Sequence, residues 1–406
     1  MPIPYKLTCS RKKIGDAKVM KISLEQLHQD ETLRQKLFPI TKHQIFMAHA
    51  GVSPIPQPAF DAIEKEARAA TIMQQESDYQ TKLSYARQTV ARIFQVQMDE
   101  VALLGPTSLG LNLVANGLNW KPGDEVIYYP DDYPTNVYPW LNLESKGVKL
   151  VPLKPKHVGE ITPELVAQAL TPRCKLVALA SANFLTGYLL DVTAVGKIAH
   201  QAGAFFSLDA IQTLGAVETP LEEADFISAD SHKWMLGPLA AGIFIVKKRV
   251  LNQLNPSLLG APNIQTRHFI ASTQLSPIGG AARYESGAMN LLGIAGMIAS
   301  LELIEAFNIK RIETYLREQR QRLVNGLQTA NFEFPIPSSS RGHGVVTVFR
   351  HPQIPTEKLY RKLLSENIIS SHRWSRDGKE WIRLSPHFYI SPQEIDKVFT
   401  VIQTSN

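Results

Sequence analysis

Lys233 is the first residue whose type and position suggest chemistry. It stands in the segment Ser231-His232-Lys233-Trp234, shortly after a strand-like apolar run that ends at Ala229. A side chain there would lie near the carboxyl end of a strand, where open α/β sheets bind ligands. A lysine with a lowered pKa, or one already held as an imine, acts as a nucleophile or a general base. A surface lysine in a loop is the simpler alternative.

Asp209 is a second candidate, because it follows the apolar run from Phe205 to Leu208. A carboxylate at the end of a buried strand costs free energy unless a positive charge faces it. A pyridinium N–H would supply that charge and would keep the ring an electron sink. A helix N-cap or a turn at the strand end explains the residue about equally well.

Thr107 and Ser108 open a predicted helix after Gly105-Pro106. Two hydroxyls and the backbone N–H groups of a helix N-terminus together suit a phosphate dianion, whereas an ordinary Thr or Ser cap is common as well. The segment lacks the Gly-Lys-Ser/Thr ending of a P-loop, and it is not a dinucleotide-binding fingerprint. A phosphate site here would therefore consist of the two hydroxyls and the N–H groups of the helix N-terminus, and would not be a nucleotide-binding loop.

Asn183 and Arg383 belong to two further segments with strand-like runs. Asn183 can hydrogen-bond a phenolic oxygen or a substrate carboxylate, although Asn183 and Gly187 are also turn residues. Arg383 can hold a carboxylate by two charge-assisted hydrogen bonds, or it forms a surface ion pair. Each of the five segments thus has a simpler explanation. Together they place polar groups at strand ends in an order that one cofactor would use.

Short apolar runs alternate with helical segments from about residue 60 to 290, which favours an α/β fold with a mainly parallel, buried sheet. Runs such as Leu176 to Ala180 are apolar throughout, as is typical of strands covered on both faces. The predicted strands are Glu125–Tyr129, Lys149–Leu153, Lys175–Ala180, Ala204–Leu208, Asp225–Ala229 and Ala241–Val246. The predicted helices are Pro58–Thr71, Leu83–Phe94, Ser108–Leu118 and Thr193–Gln201.

The pattern changes after Asn290, where one long helical segment is predicted from Leu291 to about Ala330. A smaller α+β region follows. We therefore predict an N-terminal arm over residues 1–45, a large domain over 46–290 and a small C-terminal domain over 291–406, with the arm packed on the small domain. The elements predicted outside the large domain's sheet are Ser23–Leu37, Ile45–Met47, Gly344–Phe349, Pro355–Glu366, Trp381–Leu384 and Pro392–Thr404.

The composition, with 44% hydrophobic and 20% charged residues, is that of a soluble globular protein. The net charge of +6 comes from short, dispersed basic runs, so we expect no nucleic-acid partner. A mildly positive field would attract an anionic cofactor or a carboxylate substrate. Cys9 and Cys174 make neither a disulfide framework nor a zinc site. We see no signal-peptide pattern and no run long enough to span a bilayer, so we expect no membrane partner and a cytoplasmic location.

Five motifs, taken in order, carry a resemblance to a known family. From about His49 to the last helix, the chain resembles the class V aminotransferase family of fold-type I pyridoxal-phosphate enzymes. It looks most like the branch that holds cysteine desulfurases, cystine lyases and isopenicillin N epimerase. The resemblance implies a large domain with a mostly parallel sheet between helices, a smaller α+β domain, and a homodimer with active sites at the interface. The motifs are Asn-x-x-x-Gly, Leu-Asp-Ala-Ile-Gln, Ser-His-Lys-Trp, Glu-Ser-Gly-Ala-Met-Asn and Arg-Leu-Ser-Pro-His-Phe-Tyr.

The resemblance also implies a role for each matching residue. Lys233 would form the internal aldimine with pyridoxal 5′-phosphate and shuttle the α-proton, and Asp209 would pair with the pyridine nitrogen. Gln212 would contact the cofactor's phenolic oxygen, and Tyr133 would stack on its ring. Asn183, whose side chain also suits the phenolic oxygen, would bind the substrate carboxylate together with Arg383. The implied phosphate contacts are Thr107, Ser108 and His232, and Gly287 would approach the phosphate from a partner subunit.

Two positions depart from the family pattern. Ala288 stands where many relatives have a threonine, so a hydroxyl that bonds the phosphate is missing. Cysteine desulfurases carry a nucleophilic cysteine shortly before the carboxylate-binding arginine, whereas the stretch from Asn367 to Arg383 contains no cysteine. A thiolate must be exposed and low in pKa to accept sulphur, and neither Cys9 nor Cys174 suggests that. We therefore expect no persulfide on this protein.

The reaction itself stays open between two enzyme classes. The expected activity is that of a transaminase or a carbon–sulphur (β-) lyase acting at the α-carbon of an amino acid. An epimerase is an alternative, but it needs a second base that we cannot name, and a non-catalytic binding protein would be expected to have lost Lys233, Asp209 or Arg383. The substrate is not determined by the sequence, although three residues before Arg383 suggest a pocket wall: His372, Arg373 and Trp374.

Overall fold

The computed structural model describes residues 22–266, 270–271 and 273–404. Cys9 and most of the predicted arm lie outside the described residues. The helices are α1 Leu24–Gln29, α2 Glu31–Leu37, α3 Gln57–Ala70, α4 Tyr79–Phe94, α5 Thr107–Gly117, α6 Tyr138–Leu141, α7 Pro163–Ala169, α8 Val192–Gln201, α9 Leu291–Phe307, α10 Ile309–Thr329, α11 Thr356–Ser365 and α12 Pro392–Gln403. The strands are β1 Ile45–Phe46, β2 Val101–Leu104, β3 Glu125–Tyr128, β4 Lys149–Pro152, β5 Cys174–Ala180, β6 Phe205–Asp209, β7 Phe226–Asp230, β8 Gly242–Val246, β9 Thr347–Phe349, β10 Ile368–Ile369, β11 Ser371–Trp374 and β12 Glu380–Leu384.

A seven-stranded sheet forms the centre of the molecule, in the order β2-β8-β7-β6-β5-β3-β4. The strands from β7 to β4 in that order are parallel, and β8 runs antiparallel to both of its neighbours. Most side chains of this sheet are buried on both of its faces, because helices cover it. The fold is therefore the predicted α/β fold with a mixed but mostly parallel sheet. The sequence analysis did not predict β2, whose four apolar residues are too few to show a period.

The sheet brings several strand ends to one edge. Because β8 is antiparallel to both β2 and β7, these two strands run in the same direction, and Leu104 and Asp230 both pair with Gly242. Asp209, at the end of β6, lies beside Ala180 at the end of β5. The loops that follow β2, β3, β5, β6 and β7 therefore all leave the sheet at the same side, which is where ligands bind in open α/β sheets.

The region after residue 290 differs from its prediction in its long helix, and it also contains two strands, β10 and β11, that were not predicted. The long predicted helix is two helices, α9 and α10, which meet at a bend of 76°. Asn308 lies at the bend with a left-handed φ of 68°. It ends α9 through its backbone N–H, and its side chain accepts a hydrogen bond from the Arg311 N–H at the start of α10. Among the described residues no single helix is long and apolar enough to cross a membrane, and only the bent pair α9–α10 passes that test of length and composition.

A second, antiparallel sheet has the order β11-β12-β9, and β1 pairs in parallel with β10. One apolar core joins this sheet to α10, α11 and α12 and to side chains from far earlier in the chain. Leu27 and Phe38 belong to that core, and so does Trp234, the residue after Lys233. The division of the chain into an arm and two domains stays a prediction.

Candidate active site

Lys233 lies in the loop after β7, and only 8% of its surface is exposed. Burial lowers the pKa of its amine to about 8, against the opposing field of Asp209. The Nζ atom lies 5.3 Å from the centre of the Tyr133 ring. The alternative of a surface lysine is excluded, since the amine faces the strand-end edge of the sheet among buried charges.

Asp209 ends β6 and is fully enclosed. Burial raises the pKa of its carboxyl to about 6, although the Ile211 N–H and the charge of Lys233 lower it. The Ile211 N–H donates to Oδ1 over 3.1 Å. The carboxyl is thus held where a positive charge would stabilise it, as the strand-end pattern predicts.

Asp132 is a second buried carboxyl that the sequence analysis did not single out. Burial and the nearby charge of Asp209 raise its pKa to about 7. The Tyr133 N–H donates to its Oδ1 over 2.7 Å, and the Asn136 side-chain amide donates to Oδ2 over 3.2 Å. The sequence signal that could have found it is its place in the loop after β3, four residues beyond the end of the strand at Tyr128. Asp132 and Asp209 together give the site two acidic groups close to Lys233.

Thr107 is the first residue of α5, which follows β2 after a short turn. Its hydroxyl accepts a hydrogen bond of 2.9 Å from the Asp230 N–H, so it is tied to the end of β7. Ser108 follows, half-buried, in the first turn of the helix. His232 Nδ1 lies 2.9 Å from Asp230 Oδ2, but without the alignment of a hydrogen bond. The structure therefore brings the three proposed phosphate ligands to the segment just before Lys233.

The loop of residues 47–53, the bridging loop, ties the second sheet to the Lys233 segment. Ser53 donates to the carbonyl of Lys233 from its hydroxyl (2.6 Å) and to that of His232 from its N–H (2.8 Å). The Gln212 side-chain amide donates to the carbonyl of Ala50 over 3.2 Å, while its oxygen accepts from the Trp234 indole over 3.1 Å. Gln212 thus lies beside Lys233 and uses part of its hydrogen-bonding capacity to hold the bridging loop.

Asn183 and Arg383 meet at the turn after β5. The Asn183 oxygen accepts from the N–H groups of Leu185 and Thr186, which leaves its amide nitrogen as the remaining polar atom of the side chain. Arg383 is 1% exposed and donates from one guanidinium nitrogen to the carbonyl of Phe184. Two buried donors, Asn183 Nδ2 and Arg383 Nε, have no hydrogen-bond partner among the described residues.

The electrostatics of Arg383 indicate an anion site. Burial and the neighbouring Arg373 lower its pKa to about 9, so the guanidinium is still charged near neutral pH. Its two hydrogen bonds among the described residues go to the neutral groups Phe184 O and Ser371 Oγ. A buried cation without a counter-ion costs free energy, and a bound carboxylate would remove that cost.

Tyr133 and Gly287 lie at the surface of the chain. The Tyr133 side chain is 48% exposed and packs edge-on against Phe184, 5.7 Å between ring centres. Gly287 is exposed, and a Cβ added there would meet no heavy atom within 4 Å. The structure thus joins Tyr133 to the Lys233 group, whereas Gly287 has no such contact within the described part of the chain.

Known proteins share both the sequence pattern and the fold. The model of the family described as "Aminotransferase class-V" matches residues 45–398. The chain belongs to the aminotransferase class-V family. As a class-V aminotransferase-like protein it is an enzyme. The chain is 27% identical over 391 residues to a protein named probable cysteine desulfurase from Pyrococcus abyssi. The aligned region covers 91% of this chain and 96% of that one.

Two solved structures share the fold of this chain. A cysteine desulfurase from Thermococcus onnurineus NA1 superposes with a TM-score of 0.85 at 23% identity, covering 92% of this chain and 97% of that one. The cystine C–S lyase C-DES, in complex with its product cysteine persulfide, superposes with a TM-score of 0.79 at 19% identity over 90% of this chain and 99% of that one. A mutant of C-DES has glycine covalently linked to its PLP cofactor.

Proposed function

We propose that this class-V enzyme binds pyridoxal 5′-phosphate covalently through Lys233 and uses it to cleave a carbon–sulphur bond of an amino acid. The observation that carries the proposal is a buried lysine with a pKa of about 8 beside two buried carboxyls, at the edge of an α/β sheet. A lysine that is largely uncharged only slightly above neutral pH is ready to react with an aldehyde.

The residues of the site fit the cofactor from end to end. Thr107, Ser108 and His232 lie where they would hold its phosphate, with the N-terminus of α5 behind them. Asp209 would face the ring nitrogen and keep it protonated. Tyr133 would stack on the ring, which its position 5.3 Å from the Lys233 amine supports.

The proposed binding site for the substrate carboxylate is inferred from two buried hydrogen-bond donors, on Asn183 and Arg383, that lack a partner among the described residues. Arg383 and the Asn183 amide would hold the α-carboxylate, because both carry buried N–H groups without a partner among the described residues. Lys233 would then act as the general base that takes the proton from the α-carbon. When bound, pyridoxal phosphate supplies the electron sink for the electron pair left at that carbon.

The choice of reaction rests on the relatives and on the cysteines. The relatives compared above are named cysteine desulfurases and a cystine C–S lyase, which supports cleavage at sulphur. This chain has two cysteines, and Cys174 is buried at the start of β5, where burial raises its pKa to about 11. Such a thiol is a poor nucleophile. We infer that the sulphur leaves in a small-molecule product and not as a persulfide on the enzyme.

We also propose that the enzyme works as a homodimer. The exposed, uncrowded Gly287 supports this, because its backbone could approach the phosphate site of a second copy without hindrance. Light scattering at micromolar concentration is expected to give twice the mass of 45.2 kDa. A monomer that keeps full activity would contradict the dimer and leave the chemistry of Lys233 standing.

A covalent trapping experiment tests the proposed function. The protein mixed with pyridoxal phosphate is expected to turn yellow, and borohydride followed by peptide mass spectrometry is expected to find the reduced cofactor on Lys233. Lys233→Ala should lose the adduct, whereas the control Lys248→Ala, at an exposed lysine, should keep it. A reducible adduct that persists in Lys233→Ala would disprove the assignment.

An amino-acid panel then separates the reactions. Release of pyruvate, ammonia and a sulphur product from cysteine derivatives is the expected result. Accumulation of pyridoxamine phosphate would instead identify a transaminase. Exchange of the α-proton with inversion would identify an epimerase.

A further inference from the structure

Arg373 is a second arginine on the same face of the small sheet as Arg383. In the β11–β12 pairing, Ser371 lies opposite Arg383 and Arg373 lies opposite Trp381. Residues two apart on a strand share a face, so Arg373 is the diagonal neighbour of Arg383. Diagonal neighbours in an antiparallel pair stand about 7–8 Å apart, within the reach of long side chains. The two guanidinium groups therefore face one common space.

That space is the active site. A Cβ added to Gly51 of the bridging loop would lie 4.0 Å from an Arg373 nitrogen. The charge of Arg373 acts on Lys233 and on Arg383, lowering the pKa of both. The Tyr133 hydroxyl in turn acts on Arg373. The closeness to Gly51, together with the electrostatic effects that link Arg373 to Lys233, Arg383 and Tyr133, indicates that this side chain points into the site.

The positive charge of Arg373 is not balanced within the part of the chain that the structure describes. Among the described residues its one hydrogen bond, of 3.0 Å, goes to the carbonyl of the preceding residue, His372, and it takes part in no ion pair there. By contrast, Arg376 on the turn of the same hairpin pairs with Asp131. The side chains on the opposite face of β11 are also satisfied, since His372 contacts Glu357 and Glu380. Arg373 thus offers the site a half-buried guanidinium that has no ion-pair partner among the described residues.

We propose that Arg373 binds a second carboxylate of the substrate, so that the enzyme prefers amino acids with an acidic group on the side chain or on the substituent of sulphur. This inference rests on the proposed function, in which Arg383 holds the α-carboxylate. A forked guanidinium binds a carboxylate through two parallel hydrogen bonds. A substrate with one carboxylate would leave Arg373 unpaired in a site that already contains Lys233 and Arg383.

Two ligands of equal size and different charge test this inference. S-carboxymethyl-L-cysteine and S-carbamoylmethyl-L-cysteine differ only in an acid and its amide. Their dissociation constants for the cofactor-loaded enzyme can be measured from the change in its absorption spectrum. The acid is expected to bind about tenfold more tightly or better, which is the size of one charge-assisted pair. Arg373→Gln should abolish this preference, Arg373→Lys should keep part of it, and the control Arg376→Gln should keep it all.

A binding measurement without turnover gives a second readout. Calorimetry with glutarate, which has no amino group to react, should show weaker binding to Arg373→Gln than to the wild type. Equal binding of the acid and the amide by the wild type would overturn the inference even if Arg373→Gln fails to fold. An undiminished preference in a folded Arg373→Gln would overturn it too. A spectrum that responds to no amino acid would instead overturn the proposed function, and the inference with it.

Discussion

At the scale of single residues, burial and four neighbouring charges determine the pKa of Lys233. Asp209 and Asp132 raise the pKa of Lys233, while burial, Arg383 and Arg373 lower it, and the result is about 8. An isolated lysine would stay protonated to about pH 10.4. The buried position thus gives a fraction of free amine near neutral pH that the same side chain in water would not have.

The rate at which the cofactor-free protein captures pyridoxal phosphate is therefore expected to follow the free amine of Lys233. The rate should rise with pH up to about 8 and then level off, because the amine is deprotonated above its pKa. Asp132→Asn should move this rise to lower pH, since the Asp132 carboxylate favours the protonated lysine. Stopped-flow absorbance measures the rate.

Asp131→Asn serves as the control for that experiment. Asp131 is the next residue along the chain, its partner is Arg376, and it is not among the charges that shift Lys233. Its profile should match the wild type. A rate that still climbs steeply between about pH 8.5 and 9.5 would mean that the lysine keeps its ordinary pKa.

The sequence located Lys233 and Asp209 because each follows an apolar run, and strand ends meet at one edge of a parallel sheet. It did not locate Asp132, although that residue also follows a strand. Whether a carboxyl next to a strand is enclosed or solvated depends on what packs over it from elsewhere in the chain. Asp132 is buried beside Asp209 and Lys233, which come from distant segments, and no local pattern shows that proximity.

At the scale of elements, six of the seven strands of the main sheet were predicted, whereas β2 and the break between α9 and α10 were not. Apolar runs ended by turn residues define β5, β6 and β7 to within one residue. Across Asn308, apolar residues continue from Phe307 to Ile309 and Ile312, so the helical pattern has no gap. The break arises from the left-handed backbone conformation of Asn308, with a φ of 68°. The sequence indicates this only by the residue type, because asparagine adopts that conformation more readily than most residues.

Replacing Asn308 tests whether that conformation fixes the bend. Asn308→Ala is expected to lose about 1–2 kcal/mol of stability, because alanine resists the left-handed region and cannot accept the hydrogen bond from Arg311. Asn308→Gly should lose less, since glycine adopts this conformation freely. Urea unfolding of both variants measures the difference. Equal losses would show that the capping hydrogen bond, and not the backbone, dominates.

At the scale of the whole molecule, a buried polar network holds the bridging loop to the small sheet, and so fixes Lys233 relative to Arg383. His49 lies in that loop, and its Nδ1 bonds to the carbonyl of Ser385, 2.9 Å away. Nδ1 therefore carries the proton, and Nε2 accepts from the Tyr389 hydroxyl over 2.8 Å. Burial lowers the pKa of His49 well below its ordinary value, so the ring stays neutral. Ser385 and Tyr389 belong to one of the sequence motifs, but the sequence does not show the network, because their partner His49 comes from the opposite end of the chain.

Removing one hydroxyl from the network is expected to weaken both the fold and the site. Tyr389→Phe leaves His49 Nε2 buried without a donor, which costs about 1–3 kcal/mol, whereas the control Tyr138→Phe, at a tyrosine 66% exposed, should cost nothing measurable. Because the bridging loop also binds the Lys233 carbonyl through Ser53, Tyr389→Phe should in addition slow cofactor capture. Thermal unfolding and the capture rate measure the two effects. A loss of stability with an unchanged capture rate would show that the network stabilises the fold without positioning the lysine.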